Sequence, residues 1–130
     1  MTLKELESKK EVILSIRPEY VKKIFSGEKK FEIRRRIWRD SSVNLIYIYC
    51  TYPIQKIVGC FNIAYICEAP ILDIWKVVKN ECCLNKKDFL SYFDFQEFGY
   101  AIKIKNPVEF SEPIDLKSIS KKAPQNFCYV

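Results

Sequence analysis

Two apolar runs lie next to each other near the middle of the chain, and they constrain its fold more than any other feature. Residues 44–51 and 56–67 are apolar at nearly every position, and Tyr52-Pro53 interrupts the chain between them. Runs of this length, bounded by turn residues, are typical of strands that are covered on both faces. The sequence therefore predicts two long strands buried on both faces. Gly59 within the second run indicates a bulge or a close approach of another backbone.

The remaining segments carry shorter strand and helix patterns. Strands are predicted at 12–16, 29–36, 100–105 and 108–110, and helices at 18–26, 69–78, 86–95 and 116–120. Pro107 and Pro113 should confine the last strand pieces to edges or turns, because proline lacks the amide hydrogen of a sheet ladder. Residues 1–11 are predicted to be a charged N-terminal extension, and 12–130 a single domain. The expected fold class is α+β, a small mixed β-barrel of five to six strands decorated by short helices.

Composition excludes several classes of site. Histidine is absent, which removes histidine-based triads and histidine-containing zinc sites, and the three glycines lie too far apart to form a phosphate-binding loop. The six cysteines form no Cys-x-x-Cys pair, which favours reduced thiols in a cytoplasmic protein. No apolar run is long enough to span a bilayer. We therefore expect no metal site, no cofactor and no membrane partner.

Positive charge is concentrated at the start of the chain. The formal net charge is +6, and residues 1–40 contain 12 Lys and Arg against 7 Asp and Glu. A concentrated basic field attracts anionic partners, of which nucleic acid is the common one. The composition therefore favours a nucleic-acid partner.

The segment 29–36 places this charge on a strand that follows a short helix ending at Gly27. Its alternation puts Phe31 and Ile33 on a core-facing side, and Lys30, Glu32, Arg34 and Arg36 on the other side. A carboxylate two residues from an arginine would orient the guanidinium, which could then bind a phosphate or a base edge through paired hydrogen bonds. Lys29 would add a mobile charge. The alternative is that all of these are solvated surface charges.

The same segment resembles a known family. Gly27-x-Lys29-x-x-Glu32-x-Arg34 is similar to the signature of the ASCH domain, a branch of the PUA-like superfamily of small β-barrels. Further similar stretches are Ile16–Tyr20, Tyr49-x-Thr51-x-Pro53, Gly99–Ile102 and Pro124–Phe127. The resemblance implies a PUA-like barrel with a cleft beside the signature. It also implies RNA binding, in RNA metabolism or transcription-linked regulation.

Carried onto this chain, the resemblance predicts a set of nucleic-acid-binding residues. The polar members are Lys29, Glu32, Arg34, Arg36, Thr51 and Gln125. RNA bases are often held by stacking on exposed aromatic rings, so Trp38 is the first candidate for that role, with Tyr49 and Tyr52 as weaker ones. The alternative for Trp38 is a place at the rim of the core. The expected partner is RNA, another single-stranded nucleic acid, or a modified nucleoside.

Two other functions stay open. Some family members resemble hydrolases that act on RNA or on an acylated nucleoside, and Lys29 with Glu32 would then supply base and acid. Glu32 stands where those amidohydrolases have a hydroxyl residue, which argues against that activity here. The chain would otherwise be a protein-interaction module that uses an apolar patch on residues 71–95.

Overall fold

A single mixed sheet forms the centre of the protein. Its structure is a computed structural model, which describes residues 11–130. Its strands are β1 (Glu11–Ile16), β2 (Phe31–Arg34), β3 (Leu45–Cys50), β4 (Lys56–Pro70), β5 (Phe98–Ile114) and β6 (Phe127–Tyr129). Its helices are α1 (Pro18–Ser26), α2 (Ile71–Val78) and α3 (Lys86–Phe93), with a 3-10 turn at Leu116–Ile119. The strand order is β2-β5-β4-β3-β1-β6, and β1 pairs with β3 in parallel while the other pairs are antiparallel. The predicted α+β fold with five to six strands is confirmed.

The sheet curls into a half-barrel, so that its two edge strands approach each other. Arg34 at the end of β2 donates a hydrogen bond to the Ser15 carbonyl in β1, across 3.3 Å. A few residues after β2, Trp38 packs edge-on against Phe127 of β6, with ring centroids 5.7 Å apart. We call the gap between β2 and the β1–β6 pair the seam. These are two of the contacts that hold the seam together.

Apolar side chains cover β2 on its outer face. Phe31 and Ile33 pack with Ala101 of β5 against α2 and α3, in a cluster that also contains Ile74, Val78, Phe89 and Phe93. A second cluster fills the inside of the half-barrel and includes Val21 and Ile24 of α1. The two helices cover the face of β2 that carries Phe31 and Ile33. Glu32 alternates with them along the strand, so its buried side chain lies on the opposite face, toward the seam.

Local signals placed both ends of α1 and the start of α3 correctly, but α2 begins two residues later and α3 ends two residues earlier than predicted. Helix α1 begins at Pro18 and ends before Gly27, whose φ of 86° lies in the left-handed region. The Asn85 side chain accepts a hydrogen bond from the amide of Asp88, at 2.8 Å, and so caps α3. Gly59 is confirmed as a close approach, since a Cβ there would collide with the Val108 carbonyl and the Phe25 ring.

The end of the chain differs from the prediction. Residues 98–114 form one long strand, so the division into two pieces was wrong. Asn106, with a φ of 51°, lies where the register of β5 with β4 shifts, and this bulge removes the adjacent Pro107 from a regular ladder. Strand β2 covers only residues 100–103 of β5, so both prolines lie beyond it. Strand β6 was not predicted, because three residues carry too little periodicity.

Strand β1 begins at Glu11, one residue before the expected boundary, and the predicted extension lies otherwise outside the described residues. All six cysteines are free. Within residues 11–130, the helices are too short to cross a bilayer.

Candidate functional site

A cleft of about 950 Å³ opens at the seam. Its walls come from the end of β1, from β2 and the residues after it, from α3, and from the segment that precedes β6. Six predicted site residues line it: Lys29, Glu32, Arg34, Arg36, Thr51 and Gln125. The structure therefore brings the polar part of the predicted set together from three separate stretches of the chain.

Lys29 is fixed at the base of the cleft, and the expectation of a mobile charge was wrong. Its side chain is only 2% exposed. The ammonium donates a hydrogen bond to the Cys82 carbonyl at 2.6 Å, and it lies 4.9 Å from the centre of the Tyr20 ring. The turn at Gly27 brings Lys29 to this position, where its amide donates to the carbonyl of Lys23. In the first of these contacts the ammonium donates a hydrogen bond, and in the second its charge lies against an aromatic ring.

Arg34 is oriented by backbone carbonyls rather than by Glu32. Its two terminal nitrogens donate to the carbonyl oxygens of Ser15, at 3.3 Å, and Asn126, at 3.5 Å. No ion pair within 4.0 Å joins Glu32 to Arg34 in the part of the chain that the structure describes. The expected carboxylate-guanidinium pair is therefore wrong, because the curl of the sheet brings β1 close enough to hold the guanidinium instead.

Three buried polar atoms of the cleft lack a hydrogen-bond partner. They are Oε2 of Glu32, Nε of Arg34 and the side-chain oxygen of Asn126, and all three residues line the cleft. Buried polar atoms are almost always paired, because an unpaired one loses its bonds to water without replacement. One donor and two acceptors at the base of the cleft are thus unpaired, and each is buried away from solvent.

The rim of the cleft is basic. Arg17, Arg35 and Arg36 are exposed there, and with Lys29 and Arg34 they face two carboxylates, Glu32 and Asp88. Strand β2 ends at Arg34, and the chain then turns Arg35 and Arg36 into the cleft. Lys30, expected beside Glu32, does not line the cleft; it pairs with Glu81 instead, at 3.8 Å.

Helix α3 adds a tyrosine to the cleft wall. Tyr92 is partly buried, and the Arg35 guanidinium lies 5.4 Å from the centre of its ring. Burial raises the pKa of the Tyr92 hydroxyl; Arg34 opposes that rise and Glu32 adds to it. The hydroxyl therefore stays protonated at neutral pH and remains a hydrogen-bond donor.

The aromatic residues predicted to stack on bases lie elsewhere. Trp38 is 6% exposed and Tyr49 is 5% exposed, and neither lines the cleft. Both are unsuited to stacking as they stand, because their ring faces are covered by the core; Trp38 instead takes the alternative place at the rim of the core. Tyr52 is exposed and follows the cleft residue Thr51, but it does not line the cleft.

Sequence reasoning missed several lining residues. Arg17 and Asn126 fall within the stretches that resembled the family, so that resemblance was the available signal. Tyr92 and Gln96 gave no signal, because only the packing of α3 beside β2 brings them to the cleft.

Comparisons with known proteins agree with this architecture. Residues 14–117 match the model of the ASCH domain. The chain is 29% identical over 125 residues to the ASCH domain-containing ribonuclease of Zymomonas mobilis, covering 95% of this chain and 82% of that protein. It is 24% identical to the large ribosomal subunit protein uL22 of Ureaplasma parvum, across 98% of this chain but only 41% of that protein. The crystal structure of ASCH from Zymomonas mobilis has a TM-score of 0.82 and 27% identity, covering 95% of this chain and 88% of that one.

Proposed function

Because the chain belongs to the ASCH domain family and has its PUA-like fold, we propose that its function is RNA-related and that the cleft at the seam binds single-stranded RNA. A relative named as a ribonuclease supports the choice of RNA. The basic rim supports a polyanionic ligand, since arginines bind phosphate oxygens through paired hydrogen bonds. The cytoplasm stays the predicted location.

The observation that carries this proposal is the unpaired set of Glu32, Arg34 and Asn126 below that rim. A phosphate needs only donors, whereas a nucleobase edge offers donors and acceptors together. A site with both kinds of atom at its base and arginines at its mouth suits one nucleotide whose base points inward. Its phosphate, and those of its neighbours, would then lie against Arg35 and Arg36.

The test is fluorescence anisotropy with a labelled single-stranded RNA of about eight nucleotides, at several salt concentrations. Wild-type affinity should fall as salt rises, because phosphate contacts release counterions. Arg34→Ala should weaken binding by at least about tenfold, which corresponds to one hydrogen bond to a charged group. Arg36→Ala, at an exposed position, should weaken it without disturbing the fold.

Two matched controls remove the same charge outside the cleft. Arg39→Ala and Lys122→Ala change exposed residues that do not line it, and both should leave the affinity within about twofold. Salt-insensitive binding, or equal losses at cleft and control positions, would contradict the proposal, because either result means that no specific cleft contact is made.

Cleavage of RNA is the second candidate, and the relative named as a ribonuclease favours it. Lys29 and Glu32 would supply base and acid, although Lys29 would first have to release the Cys82 carbonyl. Incubation with RNA and with acylated nucleosides should reveal products that disappear in Lys29→Met and Glu32→Gln. These variants keep the side-chain size, and circular dichroism checks their folding. A panel without turnover, or turnover that survives both changes, would retire this candidate.

A protein-interaction role stays a prediction. Leu72, Val77 and Leu90 are the exposed apolar side chains of α2 and α3, within the segment where such a patch was expected.

A further inference from the structure

The loop between α3 and β5 carries an aromatic ring into solvent next to the cleft. Phe95 is 103% exposed, more than any other large apolar side chain among residues 11–130. It directly precedes Gln96, which lines the cleft. A fully exposed phenylalanine contributes almost no burial to folding, so its ring is available to a ligand.

The backbone of this loop holds Phe95 in an unfavourable conformation. Asp94 and Phe95 have φ values of 46° and 63°, in the left-handed region that residues with a Cβ seldom adopt. Such conformations persist only where surrounding contacts impose them, and they are common at ligand sites.

Gln96 supplies those contacts and ties the loop to the cleft wall. Its side-chain amide donates to the carbonyl oxygens of Arg35, at 2.9 Å, and Phe98, at 2.6 Å. Its backbone amide donates to the Phe93 carbonyl at 3.0 Å. The position of Phe95 is therefore set relative to Arg35, a basic residue of the cleft.

We propose that Phe95 stacks on a nucleobase of single-stranded RNA just outside the cleft, next to the nucleotide held by the cleft. The inference rests on the proposed function and extends it to a second nucleotide. An exposed ring beside exposed arginines is the arrangement that binds single-stranded nucleic acid, with the ring on a base and the cations on phosphates. Phe95 then fills the role that the buried Trp38 and Tyr49 do not.

The experiment uses the same labelled RNA of about eight nucleotides and the full chain. Phe95→Ala should weaken binding by about tenfold, as expected for the loss of one stacked base. Phe95→Leu should weaken it similarly, because leucine keeps an apolar side chain but lacks the ring. Phe95→Trp should bind at least as well as wild type. The control Leu72→Ala removes an exposed apolar side chain of α2 and should have no effect.

Salt dependence separates stacking from a phosphate contact. Phe95→Ala should lower the affinity by the same factor at every salt concentration, since stacking releases no counterions, whereas Arg36→Ala should reduce the salt slope. Wild-type affinity in Phe95→Ala or in Phe95→Leu would overturn the stacking contact, and retained sensitivity to Arg36→Ala would leave the proposed function standing. If the wild-type chain does not bind RNA, both proposals fail together.

Discussion

Lys29, Glu32 and Arg34 each contact a different part of the structure. Lys29 is bound to the carbonyl of Cys82, after α2, and Arg34 to carbonyls on the far side of the seam. Glu32 lies between them with one oxygen unpaired. The signature is thus a set of side chains that assemble the cleft, and two of them each keep one unpaired polar atom.

At the same scale, the positive φ of Phe95 should lower the stability of the protein. Phe95→Gly should raise the free energy of unfolding by about 1 kcal/mol, because glycine adopts a positive φ without a Cβ collision. Urea denaturation measures this change.

Phe95→Ala is its matched control, since it removes the ring but keeps the Cβ, and it should leave the stability nearly unchanged. Equal stability of the glycine and alanine variants would mean that the loop is not strained at Phe95.

At the scale of elements, the seam is closed by contacts between strands that are not hydrogen-bonded neighbours. Arg34 joins β2 to β1 on the cleft side, and Trp38 joins the residues after β2 to Phe127 of β6. Because β6 has three residues and pairs only with β1, the packing of Trp38 against it is a large part of what holds it.

Trp38→Ala should therefore lower the free energy of unfolding by about 3–5 kcal/mol and should loosen β6 first. Hydrogen exchange should show faster exchange at Phe127–Tyr129 than in β3 or β4.

Trp75→Ala is the matched comparison, since Trp75 packs against the other apolar cluster, beneath α2 and α3. It should accelerate exchange in those helices and leave β6 protected. Faster exchange at β6 in both variants would indicate that Trp38 has no specific role at the seam.

Helices α2 and α3 act as part of the site. They cover the outer face of β2, and the turn between them supplies the carbonyl that binds Lys29. Helix α3 and the residues after it place Tyr92 and Gln96 on the cleft wall. Helix α3 therefore forms one wall of the cleft in addition to covering the core, and α2 covers the core beside it.

At the scale of the whole molecule, the curl of the sheet gathers charged residues from separate parts of the chain around one cleft. The basic excess lies in residues 1–40, and the curl places part of it against the segment just before β6. In a flat sheet β2 and β6 would lie at opposite edges, and neither the cleft nor its unpaired polar atoms would exist.

Local patterns were sufficient for most of the elements and for the family. Pro18, Gly27 and Asn85 marked helix ends because capping involves residues within one turn, and the apolar runs indicated β3 and β4 because alternation and burial are visible in consecutive residues. Of the six predicted residues that line the cleft, three lie in the signature segment. The short range of such patterns also explains the error about Glu32, whose carboxylate was expected to pair with Arg34 only because the two residues are close in sequence.

Contacts between distant residues account for the rest. Arg34 bonds to a carbonyl 92 residues away, and Lys29 to one 53 residues away. The burial of Trp38 depends on Phe127, and the position of Phe95 depends on Gln96 reaching Arg35. No periodicity records such partners, since they meet only when the sheet has curled and the helices have packed on it. The kinds of residue that line the cleft could therefore be predicted from the sequence. Their orientation, their burial and their unpaired polar atoms were decided by the tertiary fold.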